Sequence, residues 1–341
     1  MDRLQVATRK GLLVFARDGA GWRLDRTDFL GEPVSMMLAD RRDGYWYAAL
    51  HLGHFGPKLW RSADGGKHWA EIAVPAFAAS ADGQGPSVTM IWSLEGGGDD
   101  QPQRLWAGTI PGALFRSDDR GDSWQLVESL WQCPERARWF GGGYDQPGIH
   151  SICVDPRDSA RLQVAVSCGG VWCSEDDGAS WVCRTQGMRA AYMPPEQAEM
   201  PEVQDPHRMQ ACPAQPDTLW VQHHNGIFLS RDGARHWQEI VEVEPSTFGF
   251  AVAVHPSEAD TAWFVPAVKD ECRLPVDGRV VVSRTRDGGK SFEVLRKGLP
   301  QEHAFDVVYR HALHNDDDRL AFGSTTGNLY VSEDRGASWQ T

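Results

Sequence analysis

One eight-residue pattern, Ser-x-Asp-x-Gly-x-x-Trp, recurs along this chain. It is complete at Ser62–Trp69, Ser117–Trp124, Ser174–Trp181 and Ser332–Trp339. Two copies are looser: Ser230–Trp237 carries Ala234 where glycine stands elsewhere, and Thr285–Phe292 replaces both ends. A worn copy, one residue short, surrounds Asp18, Gly19 and Trp22. The aspartates fall at Asp18, Asp64, Asp119, Asp176, Asp232, Asp287 and Asp334, a spacing of 46 to 57 residues. Units of that length, made of short strands and turns, must stack on copies of themselves to bury their apolar faces. The spacing therefore predicts an all-β, seven-bladed propeller.

The 341 residues would ordinarily suggest two domains, but seven repeats of about 49 residues describe a single propeller domain over 1–341. Fifteen Trp supply apolar area for its core. A net charge of −13 argues against nucleic acid or an anionic membrane as partner. No apolar stretch reaches membrane-spanning length, and the start lacks a signal-peptide apolar region. Seven Cys without a CxxC pair read as reduced thiols of a cytoplasmic protein.

Each repeat reads as four antiparallel strands, A to D. In blade 4, strand A is Ile149 to Val154, B is Arg161 to Val166 and C is Val171 to Ser174. The Asp-containing box then turns the chain into strand D at Trp181. By the same alignment the sequence begins at strand B of blade 1 and ends at the start of strand D of blade 7. The strand completing blade 1 would follow Thr341, so the expectation is a shortened or disordered end, or a first blade of three strands.

The box resembles the bacterial neuraminidase repeat, or Asp box, over essentially the whole chain. That sialidase-like group includes sialidases, sortilin-type receptors, photosystem assembly factors and glucan hydrolases. The resemblance implies that the boxes are structural C–D turns, on the face opposite an active site. The aspartate accepts backbone N–H bonds, the glycine adopts positive φ, and the Trp packs between blades. The segments His51–Leu59, Gly142–His150 and His224–Ile227 resemble bacterial cytoplasmic single-propeller proteins, for which the resemblance implies no particular activity.

Strand polarity puts the long loops at 74–86, 126–148, 183–206 and 266–278 on the face opposite the boxes. His51, His54, His150, His207, His223, His224 and His303 map to that face. His150 lies six residues before Pro156, and His207 six before Pro213, so both take the same rung at the top of strand A. Phe250 and Phe305 are expected on that rung in blades 6 and 7. His223 and His224 form the B–C hairpin above His207, and His51 and His54 the B–C loop of blade 2.

Converging imidazoles suit one divalent transition metal (Zn, Fe, Mn, Ni or Cu), and equally acid–base chemistry without metal or ordinary hydrogen-bonded loops. The expected metal ligands are His150, His207 and His223 or His224, with His51 or His54 as a fourth. Tyr144, Asp145, Asp205 and Glu302 are nearby acids or oxygen donors, with His150, His207, Asp145 and Tyr144 as the catalytic candidates. Cys168 is a further soft ligand or a buried thiol. Arg138, Trp139, Tyr192, Phe250, Phe305 and Glu302 are expected to bind a small organic or sugar-like substrate; no organic cofactor is expected.

The sequence lacks the Phe/Tyr-Arg-Ile-Pro motif and arginine triad of a sialidase; Thr109-Ile110-Pro111-Gly112 has no arginine before the Ile-Pro. Exo-sialidase activity therefore ranks last. The first expectation is a hydrolase or lyase with a His-rich pocket at the channel mouth. The alternative is a non-catalytic binding or assembly propeller of the photosystem-factor kind.

Overall fold

The computed structural model describes residues 3–19, 21–80 and 83–341. Seven antiparallel sheets follow one another along the chain and make an all-β, seven-bladed propeller. Blade 1 has three strands, Arg3–Thr8, Gly11–Asp18 and Gly21–Asp28. Blades 2 to 6 have four each, beginning at Val34, Met90, Ile149, Pro206 and Gly249. Blade 7 has Leu313–Asp316, Arg319–Gly323 and Leu329–Ser332, with Gln340 bridged to Val331. The chain divides into two compact units, Met1–Val166 with Ser174–Val182, and Ser167–Cys173 with Cys183–Thr341.

In blades 2 and 6 the inner strands are apolar on both faces, because a neighbouring blade packs on each side. In blade 2, Trp46, Ala48 and Leu50 pack with Leu12 and Val14 of blade 1. The alternate residues Tyr47 and Ala49 pack with Ile91, Leu105 and Phe115 of blade 3. Blade 6 does the same. Val252, Val254 and Phe264 meet Trp220 and Leu229 of blade 5, whereas Ala251, Ala253 and Trp263 meet Phe322 and Tyr330 of blade 7. The two-residue period of a strand thus feeds two interfaces at once. Each fully buried Trp or Phe contributes about 1.5–3 kcal/mol.

The six boxes share one hydrogen-bond scheme. In Ser174–Trp181, Ser174 Oγ donates to Asp176 Oδ1 (2.8 Å) and accepts the Gly178 N–H (2.9 Å). Asp176 Oδ1 accepts the Ser180 N–H at 2.8 Å. Thr285 does the work of the serine in blade 6 (2.9 Å to the Gly289 N–H). The fifth position always has positive φ, between 67° at Ala234 and 88° at Gly121. Glycine there avoids the cost of a left-handed side-chain-bearing residue, which Ala234 bears. The box Trp ties blades together: Trp237 Nε1 donates to the Arg184 carbonyl at 3.0 Å. These aspartates are structural. Asp176 is held below the usual carboxylate range, first by the Ser180 hydroxyl and then by the Ser180 N–H.

Strand A begins with a β-bulge in five blades. The irregular residue is Ser35, Trp92, His150 and His207 in blades 2 to 5, and the step falls between Gly249 and Val252 in blade 6. His150, His207 and Phe250 are each the second residue of their strands, the rung expected from sequence. A bulge re-aims the side chain it carries. Phe305 departs from this pattern. Strand A of blade 7 starts at Leu313, after the 3-10 turn Arg310–Ala312. Asp306 Oδ1 accepts from Ser324, Thr326, Asn328 and Tyr330, which latches the preceding segment to the B–C hairpin and leaves Phe305 60% exposed. Blade 7 has no proline closing strand A, so the count from that landmark does not carry over.

Among the described residues no helix is long and apolar enough to cross a membrane. Cys168, Cys173 and Cys212 are buried and the other four cysteines half-buried, none of them in a disulfide.

Candidate functional site

The second unit holds the group on which a site can be built. Strand Pro206–Cys212 pairs with Gln215–His223 so that Pro206 faces His223. Asp205 therefore stands opposite His224, whose N–H donates to the Asp205 carbonyl at 2.9 Å. The bulge at His207 re-aims its ring, and His207 Nε2 comes within 3.3 Å of the Oδ2 of Asp205, the residue just before the strand. The register of one hairpin thus gathers Asp205, His207 and His224. One ligand atom from each lies within 4.8 Å of the others, the one such group among the described residues.

The three side chains are oriented by what they touch. Asp205 Oδ1 accepts the Cys168 N–H at 3.1 Å. Its Oδ2 lies 3.3 Å from His207 Nε2 and 3.5 Å from His224 Nδ1. His207 Nδ1 donates to the Gly249 carbonyl at 2.7 Å, because a carbonyl oxygen can only accept. The His207 ring lies flat on Phe250 (centroids 4.7 Å, planes 17°). Phe250 is in turn met by Tyr309 at 4.6 Å and by the Arg273 guanidinium at 5.4 Å. Tyr192 packs edge-on to His224 at 4.8 Å and donates its hydroxyl to the Val203 carbonyl at 2.5 Å.

Burial graduates across the group. Asp205 and His207 are buried, His224 is half-buried, and Tyr192 is 37% exposed, so access comes from the His224–Tyr192 side. Burial works against an Asp205 carboxylate, but His207, His224 and the Arg310 charge outweigh it and hold the group well below its usual range. Burial and the Asp205 charge push the Cys168 thiol up, which makes it a neutral neighbour. Burial lowers His223 to about 3 despite the Asp205 charge. Its ring nitrogens lie 3.0 Å from the Asp205 N–H and 3.1 Å from the Asn225 N–H, so both are turned to the hairpin's own backbone, and the neutral ring accepts from one of them. His223 is a neutral structural residue, not a partner to His224 in the group.

The other candidates lie elsewhere. In the first unit, His150 is buried beside Trp92 (5.4 Å), with Nδ1 3.0 Å from Ser151 Oγ. Tyr144 packs edge-on to the same Trp92 at 5.2 Å, and Asp145 is exposed. His51 places Nδ1 3.0 Å from the Thr89 carbonyl, while His54 is exposed and leans on Phe55. Trp139 is buried and Arg138 is exposed at the end of the turn Pro134–Arg138; the Arg136 guanidinium sits over Trp131 at 3.3 Å and lies 6.0 Å from the Trp139 ring. Glu302, like Phe305, is exposed in the segment before blade 7. The structure thus brings His207, His224, Tyr192 and Phe250 together around Asp205, one of the acids the sequence offered nearby. Arg310 and Tyr309 join them without a sequence signal, because they belong to an irregular turn outside the repeat.

No protein-family model matches this chain, and no curated protein matches it in sequence. Solved structures do match in fold. A GH74 enzyme of Niastella koreensis superposes with a TM-score of 0.67 at 14% identity, over 99% of this chain and 52% of that one. The chain therefore spans about half the length of that enzyme. YCF48 bound to D1 peptide gives 0.58 at 12% identity, over 100% and 84%. A chain of the Mitotic Checkpoint Complex gives 0.57 at 12% identity, over 99% and 84%. Identities this low establish the propeller fold, shared by glycoside hydrolases and by propellers in peptide and protein complexes.

Proposed function

We propose that the protein is a hydrolase or lyase acting on a small organic or sugar-like molecule at Asp205, His207 and His224. The observation that carries this reading is the conjunction of a buried, ionised carboxylate with two imidazoles on a half-open edge. A buried charge is expensive unless function or pairing requires it, and perturbed ionisable groups gather at reactive sites. Imidazoles poised on a carboxylate can move protons at neutral pH or hold an electrophile. Tyr192 and Phe250 supply aromatic surface beside the centre, as small-molecule sites need. The box geometry supports kinship with the bacterial neuraminidase repeats, and the fold is shared with a GH74 enzyme.

A second reading is a binding platform. It draws on the fold match to YCF48 bound to D1 peptide, which spans 84% of that chain against 52% of the GH74 enzyme. The deciding experiment is a turnover screen with nitrophenyl glycosides, esters and phosphates, using wild type and His207→Ala. Turnover lost in the variant supports the enzyme. Folded wild type without turnover on any class favours the platform.

A further inference from the structure

We infer that Asp205, His207 and His224 form a divalent transition-metal site, with Asp205 Oδ2, His207 Nε2 and His224 Nδ1 as the ligand atoms. The inference deepens the enzymatic reading of the same residues and rests on it for its chemistry, not for its geometry.

Two hydrogen bonds direct His207 Nε2 and Asp205 Oδ2 to a common point, which His224 Nδ1 also approaches. His207 spends its Nδ1–H on the Gly249 carbonyl, so in the neutral ring Nε2 carries a lone pair. That lone pair faces Asp205 Oδ2 3.3 Å away, so a cation placed between them would be held by both atoms. Asp205 spends Oδ1 on the Cys168 N–H and leaves Oδ2 for the centre. His224 Nδ1 approaches the same Oδ2 at 3.5 Å.

The distances fit an ion. Ligands about 2.05 Å from a tetrahedral centre lie about 3.3 to 3.4 Å from one another. The two imidazole–carboxylate edges, 3.3 and 3.5 Å, match that spacing. The third edge is within 4.8 Å. An N–H from a ligating imidazole to a backbone carbonyl is the usual second layer of a metal site; it fixes the tautomer and ring orientation. Phe250 stacked on His207 adds the apolar wall that holds the ring still. Two imidazoles and one carboxylate suit Zn or Fe(II), with at least one position left for water or substrate on the side where His224 and Tyr192 meet solvent. This ligand set differs from the all-histidine set expected from sequence. It replaces His150, His51 and His54 with Asp205, and it leaves out His223, whose nitrogens face backbone N–H groups.

The test is equilibrium dialysis of the full chain against Zn²⁺, followed by elemental analysis, with thermal-shift measurements on the same samples. Wild type should retain one ion and gain thermal stability from it. His224→Ala, changed at the more exposed ligand, should lose at least tenfold in affinity and the thermal shift. His54→Ala should match wild type. Wild type that retains no ion overturns the inference, and so does His224→Ala binding as tightly as wild type. If no ion is retained but turnover still depends on His207, the enzymatic reading survives without the metal.

Discussion

His207 lies flat against Phe250, centroids 4.7 Å apart and planes 17° apart, on equivalent rungs of neighbouring blades. The stack fixes the ring whose Nε2 addresses Asp205. Phe250→Ala should cost about 3–5 kcal/mol in urea unfolding, the range for emptying a buried aromatic site. It should also weaken whatever His207 holds, although Phe250 touches no ligand atom.

Asp205 is the buried charge around which the site is built. Asp205→Asn should destabilise the protein by about 3–5 kcal/mol, because His207 and Arg310 would then face a neutral amide. Asp145→Asn, at an exposed position, should stay within about 0.5 kcal/mol of wild type. Equilibrium unfolding of the two variants side by side is the check. Equal effects would contradict the central place given to Asp205.

His223 gives the site a pH signature. Burial depresses its pKa from 6.5 to about 3, so the unfolded chain binds a proton that the folded one refuses. Its contribution is complete above about pH 6.5 and declines as pH falls towards 3, at about 1.4 kcal/mol per pH unit. From pH 6.5 to 4.5 the loss should be about 2 to 3 kcal/mol. In unfolding titrations over that window, His223→Gln should show a shallower slope by about that amount. An unchanged slope would show that His223 titrates normally in the fold.

The boxes make a separate prediction. Ser174 Oγ accepts the buried Gly178 N–H, so Ser174→Ala should cost about 1–3 kcal/mol by stranding that donor. Ser174→Thr should be far milder, because Thr285 already fills the same role in blade 6. Chemical denaturation of both variants tests the scheme.

The repeat made the fold legible, and counting from strand-closing prolines located the rung of His150, His207 and Phe250. Counting could not tell which histidines meet. His223 and His224 are adjacent in sequence, yet register turns one into the backbone of its own hairpin and leaves the other facing Asp205. Asp205 was recognisable only as one acid among several, because its role depends on the cross-strand pairing. Tyr309 and Arg310 gave no signal. Arg310 opens, and Tyr309 precedes, a 3-10 turn that replaces the top of strand A in blade 7, and Arg310 adopts φ +23°, which no pattern of apolar spacing encodes.

The most direct test is anomalous diffraction at the zinc edge from crystals grown with Zn²⁺. The account predicts one strong peak about 2.0–2.2 Å from His207 Nε2, His224 Nδ1 and an Asp205 carboxylate oxygen. A zinc-loaded crystal with no peak between these residues would contradict it.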